Sequence, residues 1–258
     1  MNGGETVQET AVPGAGDSAR VRARELEANL ALVRSRIAAA ERAAGRPAGS
    51  VRLVVITKTH PARDVRILSS LGVTDVGENR LQEAAPKVES CSDLELTWHF
   101  VGQLQTNKVR QVVEWAGYVH SVDRSRLVDA LSAAAVRAGR DQPGRELGCL
   151  IQVNLDPDPG RGGVDPDGVP SLADAVAGAP GLRLDGVMAV APLRGPYAGN
   201  AAAAFDRVAD IASRMHEAHP TANMVSAGMS ADLEEAVAAG ATHVRIGSAV
   251  LGVRKPLG

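Results

Sequence analysis

After about residue 50 the chain keeps a steady alternation: short apolar, β-branched runs exchange with amphipathic segments of helix length. The runs are VRLVVIT (51–57), VTDVG (73–77), TWHFVG (97–102), YVHSV (118–122), LGCLIQVN (147–154), LDGVMAV (184–190), NMVSAG (223–228) and THVRIG (242–247). Helical patterns lie between them at about 62–70, 79–89, 105–115, 124–138, 168–178, 200–218 and 230–239. Several stop on a glycine just before the next run, at Gly72, Gly117, Gly139 and Gly240. Strands joined by helical crossovers lie parallel in one sheet. Eight such strands, with a short last helix near 248–252, predict an α/β fold, a (β/α)8 TIM barrel. The alternative is a doubly wound open sheet. Its first strand-to-helix turn carries a glycine-rich fingerprint, and here that turn reads TKTHPAR, without glycine.

An extra helix precedes the barrel. Asp17 or Ser18 caps it, and it runs to about Ala44 with Leu26, Leu30, Val33 and Ile37 on one face. Gly45 and Pro47 stop it. The first seventeen residues have neither the basic region nor the apolar run of a signal peptide. They read as a disordered tail, 1–17, before a single domain over 18–258. The net charge of −2 and only six aromatics argue against nucleic acid or a membrane surface as partner. No apolar run reaches eighteen residues, so a cytoplasmic protein is expected. Cys91 and Cys149 sit in no CxxC pair or zinc spacing and read as thiols of a reducing compartment. The loop DPDPGRGGVDPDG (156–168) has the spaced aspartates of a calcium loop but no glutamate at the twelfth position. It reads as a surface loop, and no metal is expected.

Sites in such barrels lie at the carboxyl ends of the strands, with phosphate often held after strands seven and eight. Strand one ends at Lys58, whose amine at a desolvated strand end suits attack on a carbonyl; a solvated rim lysine is the plainer alternative. Strand seven ends in SAGMS, with Ser226, Gly228 and Ser230, the last near the N-cap of the next helix. Strand eight ends in RIGS, with Arg245, Gly247 and Ser248. Glycines admit backbone N–H groups close to an anion, and serines add hydroxyl donors. A lysine for a carbonyl and a cup for a phosphate imply one ligand with both groups. Pyridoxal 5′-phosphate (PLP) and a sugar-phosphate aldehyde both qualify. Arg245 favours PLP, whose pyridine nitrogen takes an Asp or Arg partner; a structural ion pair is its other reading.

The ordered set VITKTHP, GENRLQEAAPK (77–87), WHFVGQLQTNK (98–108), IQVN (151–154), GVMAV (186–190), SAGMSADLEEAVAAG (226–240) and VRIGSAVLG (244–252) resembles the pyridoxal phosphate homeostasis proteins. These are single-domain PLP barrels similar to the N-terminal domain of alanine racemase, and the resemblance covers about 20–254. It implies PLP on Lys58 as an internal aldimine, phosphate at Ser230, Gly247 and Ser248, and Arg245 by the pyridine nitrogen. Asn79 and His99 would line the ring pocket; a helix N-cap and a satisfied core histidine are their structural readings. The resemblance implies a monomer that carries, buffers or delivers PLP to dependent apoenzymes, without strong turnover. Two positions depart from the family. Arg161 in DPGRGG stands where the family often has a lysine, and arginine, always protonated, forms no stable imine. SAGMS has Ala227 where the family has methionine.

Two enzymes are the other readings. A PLP-dependent racemase or decarboxylase needs a second acid–base group, and the only tyrosines are Tyr118, on a strand, and Tyr197, in the loop after strand six. A second, β-rich domain supplies that group in relatives with those activities, and the chain ends at Gly258, shortly after strand eight. A Schiff-base aldolase needs its lysine on a middle or late strand, where VMAVAPL has none. His60 and His120 are general-base candidates. Glu78 and Glu83 lie at strand-end and helix positions; Glu78 either orients Asn79 or pairs with a neighbouring cation and is assigned no chemistry.

Overall fold

The computed structural model describes residues 15–253. Eight parallel strands close a barrel in chain order: β1 Arg52–Ile56, β2 Asp75–Glu78, β3 Thr97–Phe100, β4 Tyr118–Val122, β5 Leu147–Gln152, β6 Leu182–Met188, β7 Met224–Ser226 and β8 His243–Ile246. Closure is made by β8 on β1, in the register Leu53 to Val244 and Val55 to Ile246. Each predicted strand is present. The helices are α1 Ala15–Ala43, α2 Ala62–Ser70, α3 Leu81–Ser90, α4 Val109–Val113, α5 Ser125–Arg137, α6 Val169–Ala177, α7 Ala201–Ala218, α8 Leu233–Ala238 and α9 Ser248–Leu251.

Three helices differ from expectation. The one expected over 105–115 is a short 3-10 turn, Thr106–Lys108, leading into α4. The one expected from 230 begins at Leu233, because the Met229 N–H donates to Asp232 Oδ1 at 2.6 Å and holds 229–232 as a turn. Ser230 is therefore in that turn and not at the helix cap. The first helix also starts earlier than the expected Asp17 or Ser18 cap. Residues 15–17, read as tail, are its first turn; the rest of the expected disordered tail, 1–14, lies outside the described residues.

Alternation along each strand sorts the side chains. Val55, Val76, Val244 and Ile246 face outward and pack with Leu26, Leu68 and Leu233 of the helices. Cys149, Ile151 and Val187 do the same against Leu131, Val176 and Ile211. The intervening residues fill the barrel, among them Leu150, Met188 and Met224. A Cβ on Gly77 would stand 2.5 Å from Ile56 Cδ1, so a larger residue there would have to displace the tip of that side chain. Both cysteines are buried and unpaired.

Helix α1 lies across the seam where β8 meets β1. Its predicted apolar face is buried, Leu26 and Leu30 almost completely. Polar contacts fix its register: Arg22 holds Asp64 at 2.8 Å and the Leu251 carbonyl at 3.0 Å, and Asn29 donates to the Val250 carbonyl. One helix thus joins the first and last βα units. Between α1 and the amino ends of β1 and β2 lies a cavity of about 610 Å³, lined by Arg34, Glu41, Arg52, Thr74 and Asp75. It opens at the end of the barrel opposite the strand carboxyl termini. Among the described residues no helix is long and apolar enough to cross a membrane.

Candidate functional site

The predicted residues gather at one end of the barrel. Ile56 pairs with Gly77, and the next inward positions on these two chains are Lys58 and Asn79. Gly247 packs against Ile56 from the other side; a Cβ on it would stand 3.2 Å from the Ile56 carbonyl oxygen. Ser248 follows, with its Oγ 3.3 Å from Ser230 Oγ, and the Ala249 N–H also reaches Ser230 Oγ at 3.4 Å. The turns after β7 and β8 therefore touch through their serines. Gly228 takes φ +87°, and a Cβ there would stand 2.6 Å from Ala236 Cβ. Packing of α8 on the end of β7 thus demands glycine at this position.

Lys58 is exposed at the rim. Asn79 is not the N-cap of α3, a position held by Arg80. Its Oδ1 is buried at the mouth without a hydrogen-bond partner among the described residues. A native protein rarely leaves such an acceptor unmade, so an orphaned oxygen here fits a ligand donor. Close packing holds Asn79 in place, since a Cβ on Gly102 would stand 2.1 Å from its carbonyl oxygen.

Beneath the mouth runs a buried polar chain. Arg245 Nη1 donates to Ser226 Oγ at 2.7 Å, and Ser226 Oγ lies 3.0 Å from His120 Nδ1. His120 Nε2 lies 2.8 Å from His99 Nδ1, and His99 Nε2 lies 3.0 Å from Asp75 Oδ1. One assignment of protons satisfies every link. Arg245 donates to Ser226, Ser226 to His120, His120 to His99 and His99 to Asp75, with both imidazoles neutral and carrying hydrogen on Nε2. Burial, with His99 and Arg245 nearby, drives His120 well below the ordinary histidine range, in keeping with that state. Burial pushes Asp75 up, but the hydrogen bonds from His99 and Thr74 outweigh it and hold the carboxyl below its usual range. The chain runs from a cation to an anion across five strands.

Among the described residues Arg245 forms no ion pair. Nη1 also donates to the Ser226 carbonyl at 2.7 Å and Nη2 to the Ala189 carbonyl at 2.8 Å. Complete burial lowers its pKa to about 10, so the guanidinium remains charged at neutral pH. His99 is fully buried, bonded at both nitrogens, and stacked on Tyr118 with ring centroids 4.8 Å apart. It is one inward position below Asn79, beside Gly77.

Sequence reasoning passed over a second group, beside Lys58. Lys87 is buried, forms an ion pair with Glu78, and donates to the Thr57 carbonyl at 2.7 Å. Thr57 Oγ1 donates to the same Glu78 oxygen at 2.5 Å. Of the two roles open to Glu78, pairing with a cation is the one observed. On the other side of Lys58, the Thr59 N–H donates to Glu83 Oε2 at 2.8 Å. Thr59 has φ +66°, the one non-glycine residue with positive φ among those described. A β-branched residue in this region is a true outlier and carries about 1–3 kcal/mol of strain. The i, i+4 spacing of Glu83 and Lys87 was the available signal, since it puts both on one face of α3.

Arg161 is committed elsewhere. It lies 3.5 Å from Asp156 and donates to the Ala191 carbonyl at 3.2 Å. The Asp158, Leu193 and Arg194 N–H groups also converge on Asp156 and keep its carboxyl below the usual range. The aspartates at the start of the 156–168 loop thus bind backbone N–H groups and tie the loop after β5 to the loop after β6.

The family described as alanine racemase, N-terminal domain, matches residues 28–255. A pyridoxal phosphate homeostasis protein of Mycobacterium tuberculosis is 43% identical over 245 residues, covering 90% of this chain and 93% of the relative. Another of the same name, from Corynebacterium glutamicum, is 43% identical over 213 residues, covering 81% and 93%. The structure of PipY of Synechococcus elongatus PCC7942, with PLP bound, superposes with a TM-score of 0.73 at 34% identity, covering 88% of this chain and all of that one. The class is thus the alanine racemase-like barrel. Within it, the chain belongs to the pyridoxal phosphate homeostasis protein family.

Proposed function

We propose that this protein binds PLP reversibly through Lys58 and serves in PLP homeostasis, as a cytoplasmic buffer or carrier and not as an enzyme of strong turnover. The observation that carries the reading is convergence. A rim lysine, an orphaned buried amide oxygen, a touching pair of serine turns and a buried arginine meet at one barrel end. Bound PLP would supply an aldehyde that condenses with an amine and a ring that withdraws electrons through its pyridine nitrogen. Lys58 would hold that aldehyde as a Schiff base, with water released. Ser230, Ser248 and the Gly247 turn would take the phosphate. Asn79 would meet a polar ring substituent, and His99 would underlie the pocket while supporting Ser226 and Arg245 through His120.

Arg245 supports binding over carbanion chemistry. A guanidinium that stays charged, fixed by two carbonyls and Ser226, would offer a hydrogen bond to the pyridine nitrogen while opposing its protonation. The two interior histidines are engaged with each other and with Asp75 and Ser226, so neither is poised to move a substrate proton. We further propose that the protein acts as a monomer and that PLP-dependent apoenzymes receive the cofactor.

The test is the visible spectrum of purified protein with PLP, before and after borohydride. Wild type should be yellow, and peptide mapping should put the reduced adduct on Lys58; Lys58→Ala should lose both. Amino-acid racemisation and decarboxylation assays should then find no turnover above free PLP. A protein that stays colourless with added PLP refutes the reading. Rapid turnover of one amino acid would replace the carrier with an enzyme.

A further inference from the structure

Lys58 lies between two peptides that α3 holds from the same face. Before it, the Thr57 carbonyl accepts from Lys87 Nζ, and Lys87 is itself anchored by Glu78. After it, the Thr59 N–H donates to Glu83. Glu83 and Lys87 are one helical turn apart, so a single rigid element grips both flanks of one residue. The gripped backbone is also strained at Thr59. A strained conformation persists where its surroundings over-determine it, and such places cluster at functional sites. The strain, the two charged clamps and the rim lysine coincide within three residues.

We infer that Glu83 and Lys87 are positioning residues for Lys58: they fix the backbone from which its amine reaches the cofactor aldehyde. This rests on the assignment of Lys58 made above. Neither residue touches the cofactor in this scheme. A lysine side chain has many rotamers, and a loop free to move would spread its amine over many positions. Holding Cα in place confines the amine to a small volume at the mouth and so raises its effective concentration toward the aldehyde.

Glu83→Ala is the variant to use, because Glu83 is 31% exposed and its loss leaves no charge stranded in the interior. Glu83→Gln keeps an acceptor oxygen and serves as the rescue. Three readouts on the full chain separate the possible failures. Hydrogen exchange of the PLP-free protein reports the clamp itself: the Thr59 amide should exchange faster in Glu83→Ala and return toward wild type in Glu83→Gln. Thermal melting should be little changed. Titration with PLP, followed by the imine absorbance and the borohydride-trapped mass at Lys58, should show about tenfold weaker binding in Glu83→Ala, as for loss of one charge-assisted hydrogen bond. Near-wild-type binding should return in Glu83→Gln. If wild type forms no adduct at Lys58, the underlying assignment fails and the clamp's role falls with it. If the adduct forms in wild type but Glu83→Ala binds PLP equally well, the assignment stands and the positioning role is overturned. Unchanged Thr59 exchange in Glu83→Ala overturns the clamp itself.

Discussion

Lys87→Met strands a charge. Glu78 is fully buried and Lys87 is only 6% exposed, so no water replaces the lost ammonium. Glu78 Oε2 already lacks a partner among the described residues, and burial pushes the carboxyl up against the opposing bonds from Lys87 and Thr57. In the variant only Thr57 opposes burial. Removing one partner of a buried ion pair costs about 3–5 kcal/mol. At about 2–4 °C per kcal/mol for a chain of this size, Tm falls by about 6–20 °C. The loss depends on pH. Glu78 then has a folded pKa well above its unfolded value, so stability is retained below the unfolded pKa and lost as pH rises through the folded one. The deficit therefore shrinks as pH falls, by about 1.4 kcal/mol per unit within that window. Urea denaturation at pH 8 and pH 5 measures it. The double variant Glu78→Gln, Lys87→Met, which strands no charge, should recover much of the loss at pH 8. An equal deficit at both pH values, or a double variant no better than the single one, would show that packing and not charge is at issue.

Three further outcomes follow from the geometry. Burial lowers His120 well below the ordinary range and His243 to about 3, so both stay neutral when folded while the unfolded chain takes up protons. Their folded pKa values lie below the unfolded one, so stability is full above pH of about 6.5 and declines as pH falls toward the folded values, by about 1.4 kcal/mol per unit for each histidine. Urea titrations from pH 7.5 to 4.5 should show this slope, and His243→Gln should flatten it. Gly186→Ala puts a Cβ 1.9 Å from the Met224 carbonyl oxygen at φ +148°, and a thermal melt should show a loss of about 3 kcal/mol or more. Arg245→Met leaves the Ala189 carbonyl without its donor, costing about 1–3 kcal/mol, while the Ser226 carbonyl keeps the Ala189 N–H. It should also weaken PLP binding, and Arg245→Lys should restore charge but not the forked geometry.

What was readable beforehand follows from how local each signal is. The β-branched runs, the helix-ending glycines and the apolar face of α1 are properties of neighbouring residues, and they returned every strand and nearly every helix. Boundaries moved where a short-range polar contact intervened, as when Asp232 captured the Met229 N–H and delayed α8. Strand ends were readable too, so Lys58, Gly247 and Ser248 fall on one rim from local pattern alone, whereas Asn79 came only from the family resemblance. The ordered motifs then identified the family.

The interior was not readable. Asp75, His99, His120, Ser226 and Arg245 come from five strands, and they meet only because the barrel closes and brings β8 back toward β2 and β3. Local alternation does not give the facing of His120, because the β4–β5 register shifts between Val119 and Val122 beside it. Nor did any local pattern announce the positive φ of Thr59, which tertiary contacts impose against its intrinsic preference. The amino-acid order by itself determined the architecture, the family and the rim, since hydrophobic periodicity and strand-end chemistry act over a few residues. Only the folded barrel decided which buried charges meet, because desolvation and hydrogen bonding depend on distances that closure sets and sequence separation does not.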